Sequence, residues 1–289
     1  MTWLILGGSG QLGIALSEEL GSKGITFKAW GHQELDVTKE PIVKDLIGAL
    51  SPKVIINCAA WTDVDSAEAN EEMAFLVNSY GAENISKAAK VCGAKFVHIS
   101  TDYVFSGHSD EPWKEMDLKQ PLSAYGRSKA SGEDKAIEIY SQGTYIIRTA
   151  WLYSPWGKNF AKTISQKAIK NESVKVVNDQ FGQPTSAIEL AATLVELVLS
   201  NAKPGIYHVT NSGKASWFDF AQEVYKLLGK SESLVEPVGS EAYMRPAQRP
   251  SNSVLSNDRL HEVGLSQMSN WKSALAMVMP SIILETYKA

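Results

Sequence analysis

The sequence predicts an α/β protein with a doubly wound parallel sheet and a smaller C-terminal lobe. Three observations support this fold class. Through residue 153, short apolar runs alternate with helical patterns, which is the order of a parallel sheet covered by helices on both faces. The runs lack the alternation of apolar and polar residues, as expected of strands buried on both sides. A glycine-rich stretch joins the first run to the first helical pattern.

Five strands and four helices are predicted in the N-terminal half. The first helix places Leu12, Leu16 and Leu20 on one face, and the second ends at Ser51-Pro52 because proline does not continue a helix. The predicted helices span 11–22, 39–50, 71–92 and 128–140. The predicted strands are WLILG (3–7), ITFKAW (25–30), VIINCAA (54–60), KFVHIS (95–100) and TYIIRTAWLY (144–153).

The alternation breaks after residue 153, which indicates a second structural unit. Helices are predicted over 159–170, 187–200 and 217–228, and strands over 174–179 and 205–210. Residues 237–256 are predicted to form a loop because they contain three prolines. We expect a first domain at 1–153, rejoined by parts of 186–211, and a lobe that binds substrate formed mainly by 154–289.

Composition excludes several classes of partner. The 289 residues carry a formal net charge of −4, which argues against nucleic acid or an anionic membrane as the main partner. No apolar run reaches the ~18 residues that a membrane helix needs, and the N-terminus lacks a basic leader and a cleavage site. Cys58 and Cys92 lack a paired spacing, so we expect reduced thiols and a cytoplasmic protein.

GGSGQLG (7–13) follows the first predicted strand and opens the first helix. Glycines at 7, 10 and 13 would allow a tight turn, close approach of a pyrophosphate, and close packing of the helix on the sheet. The helix N-terminus would offer unpaired N–H groups to the phosphates. This context predicts a Rossmann domain that binds NADPH or NADH.

The second strand ends in Trp30-Gly31-His32, where a carboxylate for the adenosine ribose is expected. Its absence would remove a repulsion against a 2′-phosphate and favours NADP(H), with His32 or Lys28 assisting. Asp36 and Val37 could serve the adenine end instead.

A candidate catalytic group follows the fourth strand. Thr101 and Asp102, in HISTDYVF (98–105), lie at the carboxyl edge where open α/β sheets bind ligands. Tyr125 and Lys129, in SAYGRSKA (123–130), are four residues apart and share one side of a helix. We expect the lysine ammonium to lower the pKa of Tyr125 by two or three units from ~10. Such a shift requires the site to stabilise the phenolate by about 3–4 kcal/mol. Thr101 would hydrogen-bond the same substrate oxygen.

The chain resembles the extended short-chain dehydrogenases/reductases and, within them, the dTDP-4-dehydrorhamnose reductase family. The combination of STDYVF, YGRSK, RT-x-WLY and DQ-x-G-x-PT is specific, whereas the glycine loop alone is not. The matching segments are GGSGQLG, ELDVT (34–38), INCAAWTDVDSAE (56–68), STDYVF (100–105), YGRSK (125–129), RTAWLY (148–153), NFAKT (159–163), NDQFGQPT (178–185), GIYHV (205–209) and RPSNSVL (249–255).

The resemblance implies a reduction of the C4 keto group of dTDP-4-dehydro-L-rhamnose to dTDP-L-rhamnose. Tyr125 would donate the proton, Lys129 would bind the ribose and tune Tyr125, and Thr101 would support Tyr125. The implied cofactor contacts are Gly7, Gly10, Gln11, Leu12, Asp36, Val37, Cys58, Ala59, Ala60 and Thr62. The implied contacts to the dTDP-sugar are Thr101, Asp102, Val104, Trp151, Asn159 and Arg249.

Some enzymes of this family dimerise through Mg²⁺ held by glutamates of both subunits. Here Ala15 stands at the first glutamate position, and Glu189 is shifted by one residue from the second. We therefore predict no metal site and a monomer or weak homodimer.

Two other readings remain open at this point. A nucleotide-sugar 4,6-dehydratase or 4-epimerase belongs to the same superfamily, but dehydratases place Asp-Glu after the threonine, where this chain has Asp102-Tyr103. A non-catalytic protein that binds dinucleotide, like the regulatory subunit of methionine adenosyltransferase, also resembles this family. The presence of Thr101, Tyr125 and Lys129 favours catalysis.

Overall fold

The structure is a computed structural model that describes residues 2–288, apart from the side chain of residue 288. Its strands are β1 (Trp3–Leu6), β2 (Phe27–Trp30), β3 (Val54–Asn57), β4 (Lys95–Thr101), β5 (Thr144–Thr149), β6 (Leu152–Tyr153), β7 (Val174–Val177), β8 (Phe181–Gly182), β9 (Thr185–Ser186), β10 (Gly205–His208), β11 (Ala215–Ser216) and β12 (Val235–Val238). Its helices are α1 (Gln11–Ser22), α2 (Glu40–Leu50), α3 (Val64–Ala69), α4 (Glu71–Phe75), α5 (Gly81–Cys92), α6 (Ala124–Tyr140), α7 (Phe160–Ile169), α8 (Ala187–Leu199), α9 (Trp217–Leu227), α10 (Asp258–Glu262) and α11 (Trp271–Lys288).

Six strands form a parallel sheet in the order β10-β5-β4-β3-β1-β2. The order reverses direction between β1 and β3, and helices lie on both faces, so the predicted doubly wound α/β fold is confirmed. α8 packs on α1 and β10 pairs with β5, which returns residues 187–208 to this sheet.

Each face of the sheet carries its own hydrophobic core. Trp3 and Ile5 of β1 join the core beneath α1 and α8, whereas Leu4 and Leu6 join the core beneath α2 and α5. Successive side chains of a strand point to opposite faces, so a strand covered on both sides must be apolar at every position. This explains the uninterrupted apolar runs of the sequence.

A third core belongs to what we call the C-terminal lobe, formed by α7, β7, α9, β12 and α11. Ile164 of α7, Phe220 and Val224 of α9, and Leu275 of α11 are buried together there. β7 and β12 pair in parallel as a separate two-stranded sheet. Among the described residues, no helix is both long and apolar enough to cross a membrane.

Several element boundaries differ from the sequence predictions. α6 begins at Ala124 rather than at residue 128, because the Ser123 side chain caps it by accepting a hydrogen bond from the Gly126 N–H. The predicted helix 71–92 contains a π-helical segment, Leu76–Tyr80, between α4 and α5. The fifth predicted strand ends at Thr149, since Trp151 adopts a left-handed conformation with φ of 45°.

Glycines of the first turns hold backbone segments in close contact. A Cβ on Gly13 would lie 2.3 Å from the Gly7 carbonyl oxygen and 2.7 Å from the Gly8 Cα. A Cβ on Gly126 would lie 2.3 Å from the Tyr103 carbonyl oxygen. Gly126 therefore lets α6 pack against the segment after β4.

We predict opposite effects for two alanine substitutions in α1. Gly13→Ala should lower the free energy of unfolding by about 1–3 kcal/mol, because the added methyl group meets backbone atoms that cannot yield. Gly21→Ala should raise it by about 0.4–1 kcal/mol, because no atom lies within 4 Å of its Cβ position and alanine favours a helix. Urea denaturation of both variants measures the difference. Equal free energies of unfolding would contradict the close packing of the glycine loop.

Candidate active site

A cleft of about 1110 Å³ lies along the carboxyl edge of the sheet and reaches α7 and α9 of the C-terminal lobe. It is lined by sixteen of the residues that the sequence indicates as site residues. These are Gly7, Gly10, Gln11, Leu12, Asp36, Val37, Cys58, Ala59, Ala60, Thr62, Thr101, Asp102, Tyr125, Lys129, Trp151 and Asn159.

The glycine loop fits a dinucleotide pyrophosphate. Gly7 has φ of 75°, and a Cβ there would lie 2.7 Å from the Ala59 backbone nitrogen, so only glycine suits the position. Gly10 caps α1 without a side-chain hydrogen bond, which leaves the first N–H groups of this twelve-residue helix facing the cleft. NADPH or NADH would be held here through its phosphates.

The end of β2 differs from the sequence interpretation. The Glu34 carboxylate folds back and accepts a hydrogen bond of 2.8 Å from the Gly31 N–H, so a carboxylate does stand beside this strand end. The sequence pattern does not signal it, because Glu34 lies in the turn that follows β2 and not at the strand end itself. His32 lines the cleft, whereas Lys28 is exposed outside it. Burial acts against the ionised form of Asp36, but hydrogen bonds from Thr38 leave the pKa of Asp36 below its usual value.

Tyr125, Thr101 and Lys129 meet at the carboxyl end of β4. The Tyr125 phenol faces the Thr101 hydroxyl, and this contact favours the ionised form of Tyr125. The Thr101 hydroxyl donates to Asp102 Oδ1 at 2.9 Å. Lys129 Nζ donates to the Ile99 carbonyl oxygen at 2.5 Å. Ile99 lies two residues before Thr101 in β4. The three side chains therefore share one wall of the cleft, as the sequence predicted from the spacing of Tyr125 and Lys129.

The electrostatics of Tyr125 differ from the expectation. Burial raises the pKa of Tyr125 to about 12, and this effect exceeds the lowering by its hydrogen bond to Thr101. The lysine ammonium does not offset it, because Lys129 Nζ points to the strand backbone. The expected lowering of the Tyr125 pKa is wrong for this state of the protein. The phenol is accordingly protonated at neutral pH, as a proton donor requires.

Trp151 lies in the cleft, but its indole is packed on another ring. It stacks on Trp217 with 3.7 Å between ring centroids and 8° between planes, and a Cβ on Gly182 would lie 2.5 Å from it. Nothing in the sequence signals this pairing, because 65 residues separate Trp151 from Trp217. Trp217 lines both this cleft and a second cavity of about 960 Å³ in the C-terminal lobe.

Asn159 joins the glycine loop to the C-terminal lobe. Its Nδ2 donates to Gln11 Oε1 at 3.0 Å and to the Ser154 carbonyl oxygen at 2.8 Å. Its Oδ1 accepts from the Lys162 N–H and so caps α7. Asn159 therefore has a structural role in addition to lining the cleft.

Val104 and Arg249 lie elsewhere than the sequence implied. The Val104 side chain is fully buried in a small cluster with Phe105, Ala130 and Leu255, and it faces away from the cleft. Arg249 lines the second cavity instead, and its two terminal nitrogens each donate to Asp65 at 2.8 Å. This hydrogen bonding lowers the pKa of Asp65 to about 2.

Among residues 2–288, no group of three or more His, Cys, Asp or Glu side chains is arranged to hold a metal ion. Glu189, at the shifted glutamate position, accepts hydrogen bonds from Asn211 Nδ2 and from the Ser269 hydroxyl and N–H. The absence of a metal site stays a prediction.

Asp102 should make stability depend on pH. Its side chain is 2% exposed, and burial raises the pKa of Asp102 to about 6 from 3.8. As pH rises from 3.8, the unfolded chain ionises this carboxyl first, so folding carries a growing penalty that is complete above pH 6. Asp102→Asn should remove it. The free energy of unfolding of this variant, relative to the unmodified chain, should rise by about 2–3 kcal/mol between pH 4 and pH 8.

Urea denaturation at several pH values measures this difference, with Asp45→Asn on the exposed face of α2 as the control. The control should show no such trend. A relative stability of Asp102→Asn that is the same at pH 4 and pH 8 would contradict the raised pKa.

The comparisons with known proteins agree with this geometry. The family model described as the RmlD substrate binding domain matches residues 1–283. The dTDP-4-dehydrorhamnose reductase of Streptomyces griseus is 38% identical over 284 residues, which cover 97% of this chain and 93% of that protein. A probable dTDP-4,6-dihydroxy-2-methyloxan-3-one 4-ketoreductase of Streptomyces antibioticus is also 38% identical, covering 98% of this chain and 96% of that protein.

Among solved structures, the dTDP-4-dehydrorhamnose reductase of Bacillus anthracis in complex with NADP superimposes with a TM-score of 0.92. It is 35% identical in sequence, and the match covers 96% of this chain and 98% of that chain. A family model across nearly the whole sequence and relatives of the same length therefore place this chain in the dTDP-4-dehydrorhamnose reductase family.

Proposed function

We propose that the protein uses NADPH or NADH to reduce the C4 keto group of dTDP-4-dehydro-L-rhamnose, giving dTDP-L-rhamnose. The observation that carries this proposal is the group of Tyr125, Thr101 and Lys129 at the carboxyl end of β4, beside the glycine loop. The NADP complex of the Bacillus anthracis relative and the reductase activity of the Streptomyces griseus relative support the same reaction.

The cofactor, when bound, supplies the hydride that reduces the sugar ketone. Gly7, Gly10 and the first turn of α1 would hold its phosphates, and Cys58 to Thr62 would line its path to the site. Lys129 would bind its ribose.

Tyr125 gives a proton to the oxygen that was the ketone oxygen. Desolvation of the phenol keeps it protonated, and the Thr101 hydroxyl lies beside it. A positioned general acid of this kind contributes about 10²–10⁴-fold to rate. Once the proton has left, the Thr101 hydroxyl stabilises the phenolate.

The sugar that we propose follows from the activities of the relatives. The two Streptomyces relatives have the same sequence identity to this chain, and the second is named for a different keto sugar. Both names describe reduction of a dTDP-linked ketone. The dTDP-linked ketone is therefore the shared chemistry, and dTDP-4-dehydro-L-rhamnose is our proposal within it.

We predict that Tyr125→Phe loses turnover and keeps cofactor binding. With dTDP-4-dehydro-L-rhamnose and NADPH or NADH, the unmodified protein should oxidise the reduced cofactor and form dTDP-L-rhamnose. In the variant, kcat should fall by about 10²–10⁴-fold because the proton donor is absent. Absorbance at the reduced nicotinamide band measures turnover, and quenching of protein fluorescence measures cofactor binding.

Tyr140→Phe, at the other end of α6, is the matched control and should keep the full rate. A folded protein that binds reduced cofactor and consumes none with this sugar would contradict the proposed function. Full activity of Tyr125→Phe would remove Tyr125 from the role of proton donor.

A further inference from the structure

Helix α6 presents three polar side chains to β4 at intervals of one turn. Tyr125, Lys129 and Glu133 stand at positions i, i+4 and i+8, and so they lie along one face of the helix. The proposed function uses the first two. Glu133 is fully buried, and no step of the reaction described above assigns it a part.

Each of the three side chains contacts one residue of β4, and the three contacted residues are consecutive. Tyr125 meets the Thr101 hydroxyl, Lys129 donates to the Ile99 carbonyl oxygen, and the Ser100 hydroxyl donates to Glu133 Oε1 at 2.5 Å. The contact of Glu133 therefore fixes the position of α6 along the strand. A slip of one residue in this docking would move Tyr125 and Lys129 together.

Glu133 is further tied to β5 by Arg148. Arg148 Nε and one terminal nitrogen donate to the two carboxylate oxygens at 2.9 Å and 2.8 Å, and both side chains are buried. Lys119 stands 3.4 Å from the same carboxylate. Despite burial, these cations hold the pKa of Glu133 below its usual value, so it is ionised at neutral pH.

The groups that face Lys129 differ in charge at neutral pH. Burial raises the pKa of Cys58 to about 12, lowers the pKa of His98 well below its usual value, and raises that of Tyr125 to about 12. These three are neutral near pH 7. Burial lowers the pKa of Lys129 to about 8, and the carboxylate of Glu133 opposes that lowering. Glu133 thus supplies the negative charge that Lys129 experiences from its own helix.

We propose that Glu133 is a positioning residue for the reaction. It keeps Lys129 charged and sets the position of Tyr125 and Lys129 along β4. It acts through Lys129 and does not touch the substrate. The roles of Tyr125 and Lys129 in this inference rest on the proposed function.

The test is Glu133→Gln, read by the pH dependence of NADPH binding and of kcat. In the unmodified protein, affinity should weaken above about pH 8, where Lys129 loses its proton. In the variant, this weakening should begin about one pH unit lower or more, because the nearby opposite charge is gone. The basic limb of the kcat profile should move in the same direction. Glu138→Gln, on the exposed side of α6, is the control and should leave both profiles unchanged.

A purely structural role predicts a different result. Lower activity at every pH, with both profiles in their original positions, would overturn the proposal. NADPH binding needs no sugar, so the test stands even if the protein reduces no dTDP-sugar, and the two failures are distinguishable.

Glu133→Gln leaves Arg148 buried without its carboxylate, which can prevent folding. The double variant Glu133→Gln with Arg148→Met removes both charges. It should fold and should still show the basic limb at lower pH. A double variant that keeps the original profile, or one that does not fold, would contradict the proposal, because the pair would then serve the fold and not Lys129.

Discussion

The docking of α6 on the carboxyl end of β4 is the contact on which the proposed site depends. Gly126 allows it, because any Cβ there would strike the Tyr103 carbonyl oxygen, and Ser123 caps the helix so that Tyr125 falls in its first turn. Lys129 then reaches the Ile99 carbonyl oxygen. Small residues and hydrogen bonds to the strand thus set the geometry of the catalytic side chains.

The cleft exists because the chain leaves the six-stranded sheet after β5 and returns to it through α8 and β10. The excursion builds α7 and β7, and Asn159 at its start donates to Gln11 beside the glycine loop. The pair of Arg249 and Asp65 makes a second connection, between the segment that follows β12 and α3. The proposed cofactor and sugar would therefore meet between elements that several polar contacts hold together.

The sequence was sufficient for the sheet, the glycine loop and the grouping of Tyr125, Lys129 and Thr101, because these follow from local spacing and strand order. It failed where an outcome depends on distant partners. The buried setting of Tyr125 reverses its expected pKa shift, and Val104 faces a cluster that includes Leu255. The Trp151–Trp217 stack likewise joins positions far apart in the chain. Motif spacing predicts which residues converge, whereas burial decides their electrostatics.

In the proposed reaction, hydride is transferred to the sugar carbon whose oxygen Tyr125 protonates. NADPH that carries deuterium at both positions of nicotinamide C4 tests it directly, with dTDP-4-dehydro-L-rhamnose as substrate and the product analysed by proton NMR and mass spectrometry. The account predicts dTDP-L-rhamnose with one deuterium, located at C4 of the sugar. Deuterium at another sugar carbon, or a converted sugar without deuterium, would contradict it.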